Sequence, residues 1–318
     1  MKTQVPCKTG MVHRLYKDKW IITRRDFLKA SVLAGVSAAS LPGCSQILSA
    51  GTKARFGIVT DSHYADTDVR NNRFYRESTV KMTECVEIMN RQKVDFLVEL
   101  GDFKDQDDPA VEERTISHLQ AIEKVFQQFQ GPKYHVVGNH DIDSISKSQF
   151  LENITNTNIR AGSAYYSFDS RGIHFVVLDA NYRKDETAYD QGNYTWTDTH
   201  ISNIQLEWLR RDLTGVSLPA IILIHQLLDG DGSHYVDNAK EVRSILQASG
   251  KVLAVFQGHK HAGDYNMIEG IHYYTLKAMV DGSGPENNSY AIVEILDYNN
   301  IMVTGYRKAV SRKLSLFV

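Results

Sequence analysis

Cysteine is scarce: the 318 residues hold three, at positions 7, 44 and 85. Two of them fall in or at the edge of the first 43 residues, so the rest of the chain has no pair from which to build a disulfide framework. Cys85 lies in "STVKMTECVEIMNRQ", where Met82, Val86 and Met89 recur at helical spacing, and it reads as an unreactive thiol beside a buried stripe. Proline is also rare, six in all. No low-complexity linker and no internal repeat divides the chain, which argues for one domain after the N-terminal segment. Positive charge is lacking once its distribution is considered. Residues 1–43 carry eight Lys/Arg against two Asp/Glu, leaving 28 basic and 36 acidic residues in the remainder. A body that acidic has no electrostatic footprint for gripping a nucleic-acid backbone, and no nucleic-acid partner is expected.

A membrane-spanning run is missing from the N-terminal segment too. The uncharged stretch from Ala30 to Pro42 is 13 residues, short of the roughly 20 that cross a bilayer as a helix. It has the proportions of a signal-peptide core, preceded by a charged segment and followed by small residues. "TRRDFLK" resembles the twin-arginine export signal, and "LPGC" resembles a bacterial lipobox ending at Cys44. The resemblance implies export by the twin-arginine machinery to the periplasm or cell surface. It also implies a lipid anchor at Cys44 as the sole membrane attachment, with no transmembrane helix. Expected boundaries are a signal peptide over 1–43, a polar tether over 44–53 and a catalytic domain over 54–318.

Within that domain five β-like runs each end in residues able to bind metal. "ARFGIVTDSH" delivers Asp61 and His63, and "VDFLVELGDFKD" delivers Asp102. "KYHVVGNHD" delivers Asn139 and His140, "AIILIHQ" delivers His225, and "KVLAVFQGHKH" delivers His259 and His261. Runs so dense in Val, Ile, Leu and Phe read as strands buried on both faces. Helical patterns separate them at about 76–91, at 109–130 with Pro109 in the first turn, from a capping box at Ser202, and at 236–249 before Gly250. Strand–helix alternation with polar residues at the C-terminal strand ends is how α/β sheets build sites. Five further strands without ligands ("YYSFD", "GIHFVVLD", "IHYYTL", "YAIVEIL", "IMVTGYR") suggest a second sheet packed on the first.

The donor set is two carboxylates, four imidazoles and an amide, with no thiolate. That is too many for one tetrahedral zinc. It suits two divalent or trivalent transition-metal ions such as Mn, Fe or Zn, about 4 Å apart and bridged by a carboxylate. Asp102, after Gly101 at the end of a buried strand, is the natural bridge. Asp105 reads as a carboxylate that fixes a ligand or loop. Asp179 and Asn181 read as turn residues, and His118, His135, His174, His200, His234 and His272 as structural or solvent-facing.

Taken in order, D-x-H (61–63), G-D-x-x-D (101–105), G-N-H-D (138–141), the lone His225 and G-H-x-H (258–261) resemble the calcineurin-like metallophosphoesterases. The resemblance covers most of the chain after residue 53. It implies an α/β fold of four layers, α/β/β/α, with two mixed β-sheets flanked by helices. It also implies that Asp61, His63, Asp102 and His261 hold one metal, and that Asp102, Asn139, His225 and His259 hold the other. Asn139 and His140 would contact the phosphate, with His140 as the catalytic imidazole and Asp141 or another carboxylate setting its tautomer. Two cations lower the pKa of a bridging water, so the expected reaction is in-line attack of hydroxide on phosphorus.

"DSHYADTDVRNNRFYRES" and the Tyr-rich 181–196 stretch further resemble the manganese-dependent ADP-ribose/CDP-alcohol diphosphatase subgroup, with His63 in place of that subgroup's usual Gln. This implies substrate contacts from Tyr64, Arg73 and Arg76, with Tyr182, Tyr189, Tyr194 or Trp196 stacking on a base or sugar. The expected function is an exported phosphoesterase cutting phosphodiester or nucleotide-diphosphate bonds in a small substrate. The alternatives are a phosphate-scavenging phosphomonoesterase and, more remotely, a metal-stabilised surface lipoprotein without turnover.

Overall fold

The structure is a computed structural model that describes residues 51–297 and 300–315. The expected leader, Cys44 and residues 44–50 of the tether lie outside the described residues. In chain order the elements are β1 (Thr52–Val59), α1 (Ser78–Gln92), β2 (Phe96–Glu99), α2 (Glu112–Phe126), β3 (Lys133–His135), α3 (Lys147–Glu152), β4 (Tyr166–Ser170), β5 (Ile173–Val177) and α4 (Asn203–Gly215). They continue with β6 (Ala220–Leu223), α5 (Ala239–Ser249), β7 (Val252–Gln257), β8 (Asp264–Ile268), β9 (Ile271–Thr275), β10 (Ser289–Leu296), β11 (Ile301–Arg307) and β12 (Arg312–Leu314). The first strand opens at Thr52, so the last two residues of the expected tether are strand.

Two six-stranded sheets face each other, in the orders β12-β11-β10-β1-β2-β3 and β4-β5-β6-β7-β9-β8. Parallel pairing joins β1, β2 and β3, while β10 runs antiparallel to β1. In the second sheet β5, β6, β7 and β9 are parallel, and the edges β4 and β8 are antiparallel. Both sheets are therefore mixed. Strand alternation assigns each side chain to a layer. Phe56, Ile58, Phe96 and Val98 meet Phe175, Val177, Ile221, Leu223 and Phe256 between the sheets. The opposite faces, Val59 and Leu97, pack under Met82, Met89, Leu119 and Ile122 of α1 and α2. On the far side, Val176, Ile222 and Val255 pack under Leu206, Leu209, Val242 and Leu246 of α4 and α5. The result is the four-layer α/β/β/α sandwich.

The sheets are divided differently from the expectation. The strands ending in ligands do not share one sheet: β1, β2 and β3 belong to the first, β6 and β7 to the second. The ligand-free β10, β11 and β12 complete the first sheet instead. Each run is buried on both faces whichever sheet holds it, so hydrophobic pattern does not encode the partition.

Helix ends show smaller differences. The second helix begins at Glu112, and Pro109 precedes it rather than occupying its first turn. At α4 only half of the expected box forms: Ser202 accepts the Gln205 N–H, while the Gln205 amide pairs with the backbone of Asp179. A complete capping box instead opens α3, between Ser146 and Gln149. Helix α5 ends as expected at Gly250, whose φ of 64° closes it in the left-handed conformation.

Phe56 is the centre of the inter-sheet layer, 5.0 Å from the Phe96 ring, 5.2 Å from Phe175 and 5.8 Å from Phe256. Phe56→Ala should cost about 3–5 kcal/mol of unfolding free energy in urea titrations, and a loss under about 1 kcal/mol would contradict this account of the core.

Candidate metal centre and catalytic cleft

The site forms where the loops after β1, β2, β3, β6 and β7 converge. Their residues leave regular strand geometry abruptly. Asp61, His63, Asp102 and His259 all adopt left-handed backbone, with φ of 52°, 43°, 56° and 65°. For residues with a Cβ this conformation costs about 1–2 kcal/mol each. Part of that cost is offset by loop-to-loop hydrogen bonds. The N–H groups of Asp61 and His63 donate to the carbonyls of Gly101 (3.0 Å) and Asp102 (2.9 Å), and that of His259 donates to Asp61 Oδ2 at 3.1 Å. Gly138 is required by the same crowding, because a Cβ there would fall on the backbone nitrogen of Asp102.

The seven expected ligands come together. Asp102 Oδ2 lies 3.5 Å from His63 Nε2 and 3.2 Å from His225 Nε2, so one oxygen faces both halves of the cluster. Asp61 Oδ1 lies 3.7 Å from His63 Nε2 and 3.5 Å from His261 Nε2. Asp61, His63 and His261 form one group able to hold a cation, and Asp102, His225 and His259 form a second. Five of the donor atoms, Asp61 Oδ1, His63 Nε2, Asn139 Oδ1, His225 Nε2 and His259 Nε2, are buried without a hydrogen-bond partner. Such atoms are costly unless something else satisfies them.

The opposite ring nitrogens are engaged. His225 Nδ1 donates to the Leu100 carbonyl (2.8 Å), His63 Nδ1 faces Asp105 (3.1 Å), and His261 Nδ1 faces Asp281 (3.0 Å). These partners turn each Nε2 toward the cluster centre, the usual arrangement behind a metal-binding imidazole. The Asn139 amide is oriented likewise, its Nδ2 donating to the Tyr194 hydroxyl at 3.0 Å. Donor set and orphaned atoms together fit two metal ions sharing Asp102.

The electrostatics agree. Burial opposes ionisation of Asp102, yet His225 and His140 hold its carboxyl well below the usual range. Burial and the charge at His225 depress His259 to about 3, keeping it a neutral imidazole. His225 itself is lifted to about 9, burial opposing and Asp102 prevailing. In the protein alone a proton balances the buried carboxylates, and a cation would replace it.

His140 projects into the cleft, and the carboxylates behind it are not the one expected. Its Nδ1 lies 3.4 Å from Asp143 Oδ2 and 3.8 Å from Asp105 Oδ2. Asp143 is in turn paired with Lys104, which is wholly buried. Asp141 is occupied elsewhere: it accepts backbone N–H groups of Phe103 (2.8 Å), Gly138 (2.8 Å), Asp102 (3.1 Å) and Lys104 (3.3 Å). Asp141 therefore ties the β2 loop to the β3 loop, and the carboxylates that face the His140 ring are Asp143 and Asp105. Asp105, read from sequence as a ligand-fixing carboxylate, sits between His63, His140 and Arg73.

A cleft of about 450 Å³ opens over the cluster, lined among others by Arg73, Asn139, His140, Tyr194, Trp196 and His234. The expected substrate contacts divide. Arg73 is on the wall, 3.4 Å from Asp105. Arg76 is not; it is exposed and pairs with Asp66 and Asp68. Tyr64 packs edge-on to His118, away from the cleft. Tyr182 sits beneath the Lys147 ammonium, and Tyr189 is buried in the core. Tyr194 and Trp196 of the same stretch do line the cleft.

His234, expected to be structural, forms an aromatic corner with Trp196 (5.4 Å) and His259 (5.3 Å). Its sequence signal was only a Gly-rich loop. Asp281, which backs His261, follows a strand in "AMVDGSG" and carried no motif at all.

Known proteins resemble this chain in both sequence and fold. The sequence profile of the calcineurin-like phosphoesterases matches residues 54–263. The manganese-dependent ADP-ribose/CDP-alcohol diphosphatase of Arabidopsis thaliana is 24% identical over 302 residues, covering 79% of this chain and 93% of the relative. That of Xenopus tropicalis is 24% identical, covering 76% and 88%. A crystal structure of a dimetal phosphatase from Danio rerio superposes with a TM-score of 0.72 at 20% identity, covering 84% of this chain and 100% of the other.

The division of labour between the two carboxylates is measurable. Asp141→Ala strands four backbone donors and should lower unfolding free energy by about 3 kcal/mol or more. Asp143→Asn keeps an acceptor for Lys104, so it should cost less stability than Asp141→Ala while lowering kcat about tenfold. The reverse pattern in denaturant titration and steady-state kinetics would restore Asp141 as the partner of His140.

Proposed function

The chain belongs to the calcineurin-like phosphoesterases, and from that premise we propose that this dimetal hydrolase cuts the diphosphate linkage of small nucleotide derivatives. The carrying observation is the set of buried, unpartnered donor atoms gathered around the shared Asp102 carboxylate. Asp61, His63, Asp102 and His261 would hold one ion; Asp102, Asn139, His225 and His259 would hold the other. When bound, the pair supplies Lewis acidity and a water acidified toward neutral pH. Manganese is favoured because the relatives over most of the chain are named manganese-dependent.

The protein's own groups account for the rest. Burial opposes the His140 cation, but Asp105 and Asp102 lift the imidazole to about 9. His140 thus holds a proton at Nε2, facing the cleft, ready for the departing oxygen. Arg73 gives the wall a fixed cation beyond the metal cluster, where a second phosphate would be gripped by charge-assisted hydrogen bonds. Trp196, 41% exposed at the cleft edge, offers a face to a base or sugar. Two phosphates and a flat group match the substrates named for the relatives, ADP-ribose and CDP-alcohols.

The test is manganese-reconstituted hydrolysis of ADP-ribose, CDP-choline, bis-p-nitrophenyl phosphate, cyclic AMP and p-nitrophenyl phosphate. The first two should show the highest kcat/KM, and Arg73→Ala should raise KM for ADP-ribose about tenfold or more. A preference for p-nitrophenyl phosphate would favour the phosphomonoesterase instead. Inertness toward all five would overturn the reading.

We further propose twin-arginine export and lipidation at Cys44, supported by "TRRDFLK" and "LPGC". No helix of the described residues is long and apolar enough to cross a membrane. Radiolabelled palmitate should enter the wild type and not Cys44→Ala, whereas equal labelling would exclude the anchor.

A further inference from the structure

We infer that Tyr194 is a catalytic residue whose phenol O–H donates to a non-bridging oxygen of the phosphoryl group under attack. This rests on the phosphoesterase reading, because it needs phosphate to lie over Asn139 and His140.

Two polar atoms of the cleft converge on the Tyr194 hydroxyl. Asn139 Nδ2 is 3.0 Å away and His140 Nε2 is 3.2 Å away. Asn139 Nδ2 can only donate, so the phenol oxygen accepts from it, and the phenol hydrogen is left to face His140 Nε2 or the open cleft.

Proton counting then sets the change that substrate brings. Asn139 Nδ2 has two hydrogens. A phosphoryl oxygen arriving beside these groups takes the second Asn139 hydrogen. Asn139 keeps its first hydrogen bond to Tyr194, which holds the hydroxyl in place. The phenol hydrogen is then directed at the incoming oxygen, whose charge makes it a stronger acceptor than a ring nitrogen. A phenol keeps its proton at neutral pH and so remains a donor.

The loop carrying Tyr194 is pinned on both sides, which such a role demands. The buried Tyr189 hydroxyl lies against the carbonyls of Thr195 and Asp198. Asp190 accepts the Lys147 N–H at 3.0 Å, and Gln191 reaches Glu112 at 2.6 Å. Both aromatic neighbours of Tyr194, the rings of His140 and Tyr189, are also protein groups. The residue is therefore built into the site at its polar end rather than presented as a free stacking face.

Tyr194→Phe keeps the ring and removes only the hydroxyl. With ADP-ribose and bis-p-nitrophenyl phosphate as substrates and Mn²⁺ bound, kcat should fall about 10- to 100-fold, with KM within about threefold of wild type. Manganese affinity by calorimetry and the thermal midpoint should not change. An unchanged or raised kcat would mean that the hydroxyl merely fills the place of the substrate oxygen, and would overturn the inference. A parallel loss of manganese affinity would also overturn it, since the hydroxyl would then act only by orienting the Asn139 amide. An inert wild type would overturn the phosphoesterase reading together with the inference, whereas an active wild type with an unaffected variant would overturn the inference alone.

Discussion

The structure is organised around one buried carboxylate. Asp102 sits at the end of β2 with strained backbone, its Oδ1 accepting the His140 N–H at 2.7 Å and its Oδ2 facing imidazoles from both sheets. An isolated buried charge of this kind is untenable without compensation. Most neighbouring features supply or prepare that compensation: the inward Nε2 atoms, the glycine at 138, and the backbone-binding Asp141 that fixes the loop. Remove the requirement to balance Asp102, and the left-handed residues beside it lose the interactions that offset their cost.

Much of this was legible before any coordinates, for a physical reason. Metal ligation needs specific side chains at strand ends, and buried strands announce themselves by composition, so the five motifs and the seven candidate donor residues are readable in register. Groups that act by contact across the fold left weaker traces. Asp143, two residues beyond the G-N-H-D block, is no more conspicuous than Asp141, because sequence does not tell a carboxylate aimed at an imidazole from one aimed at backbone. Asp281 and His234 come from loops without a motif, and only tertiary closure brings them to the cleft. Arg73 and Arg76 stood equal in sequence until Asp66 and Asp68 were seen to hold the latter at the surface.

The partition of strands between sheets shows another kind of limit. Pairing partners are chosen by register and topology, and a run buried on both faces is compatible with any interior position. The sequence therefore spoke clearly about what each strand end carries and not about which sheet presents it.

That partition links two parts of the protein that otherwise look separate. Asp61, His63, Asp102 and Asn139 ride on one sheet, His225, His259 and His261 on the other, and the sheets meet through the layer of Phe56, Phe96, Phe175 and Phe256. The thickness of that aromatic layer then acts as a spacer gauge for the metal centre. A methylene gained or lost there would alter the separation between the two ligand sets, although no core residue touches an ion. The hydrophobic interior of this enzyme is thereby part of its coordination chemistry.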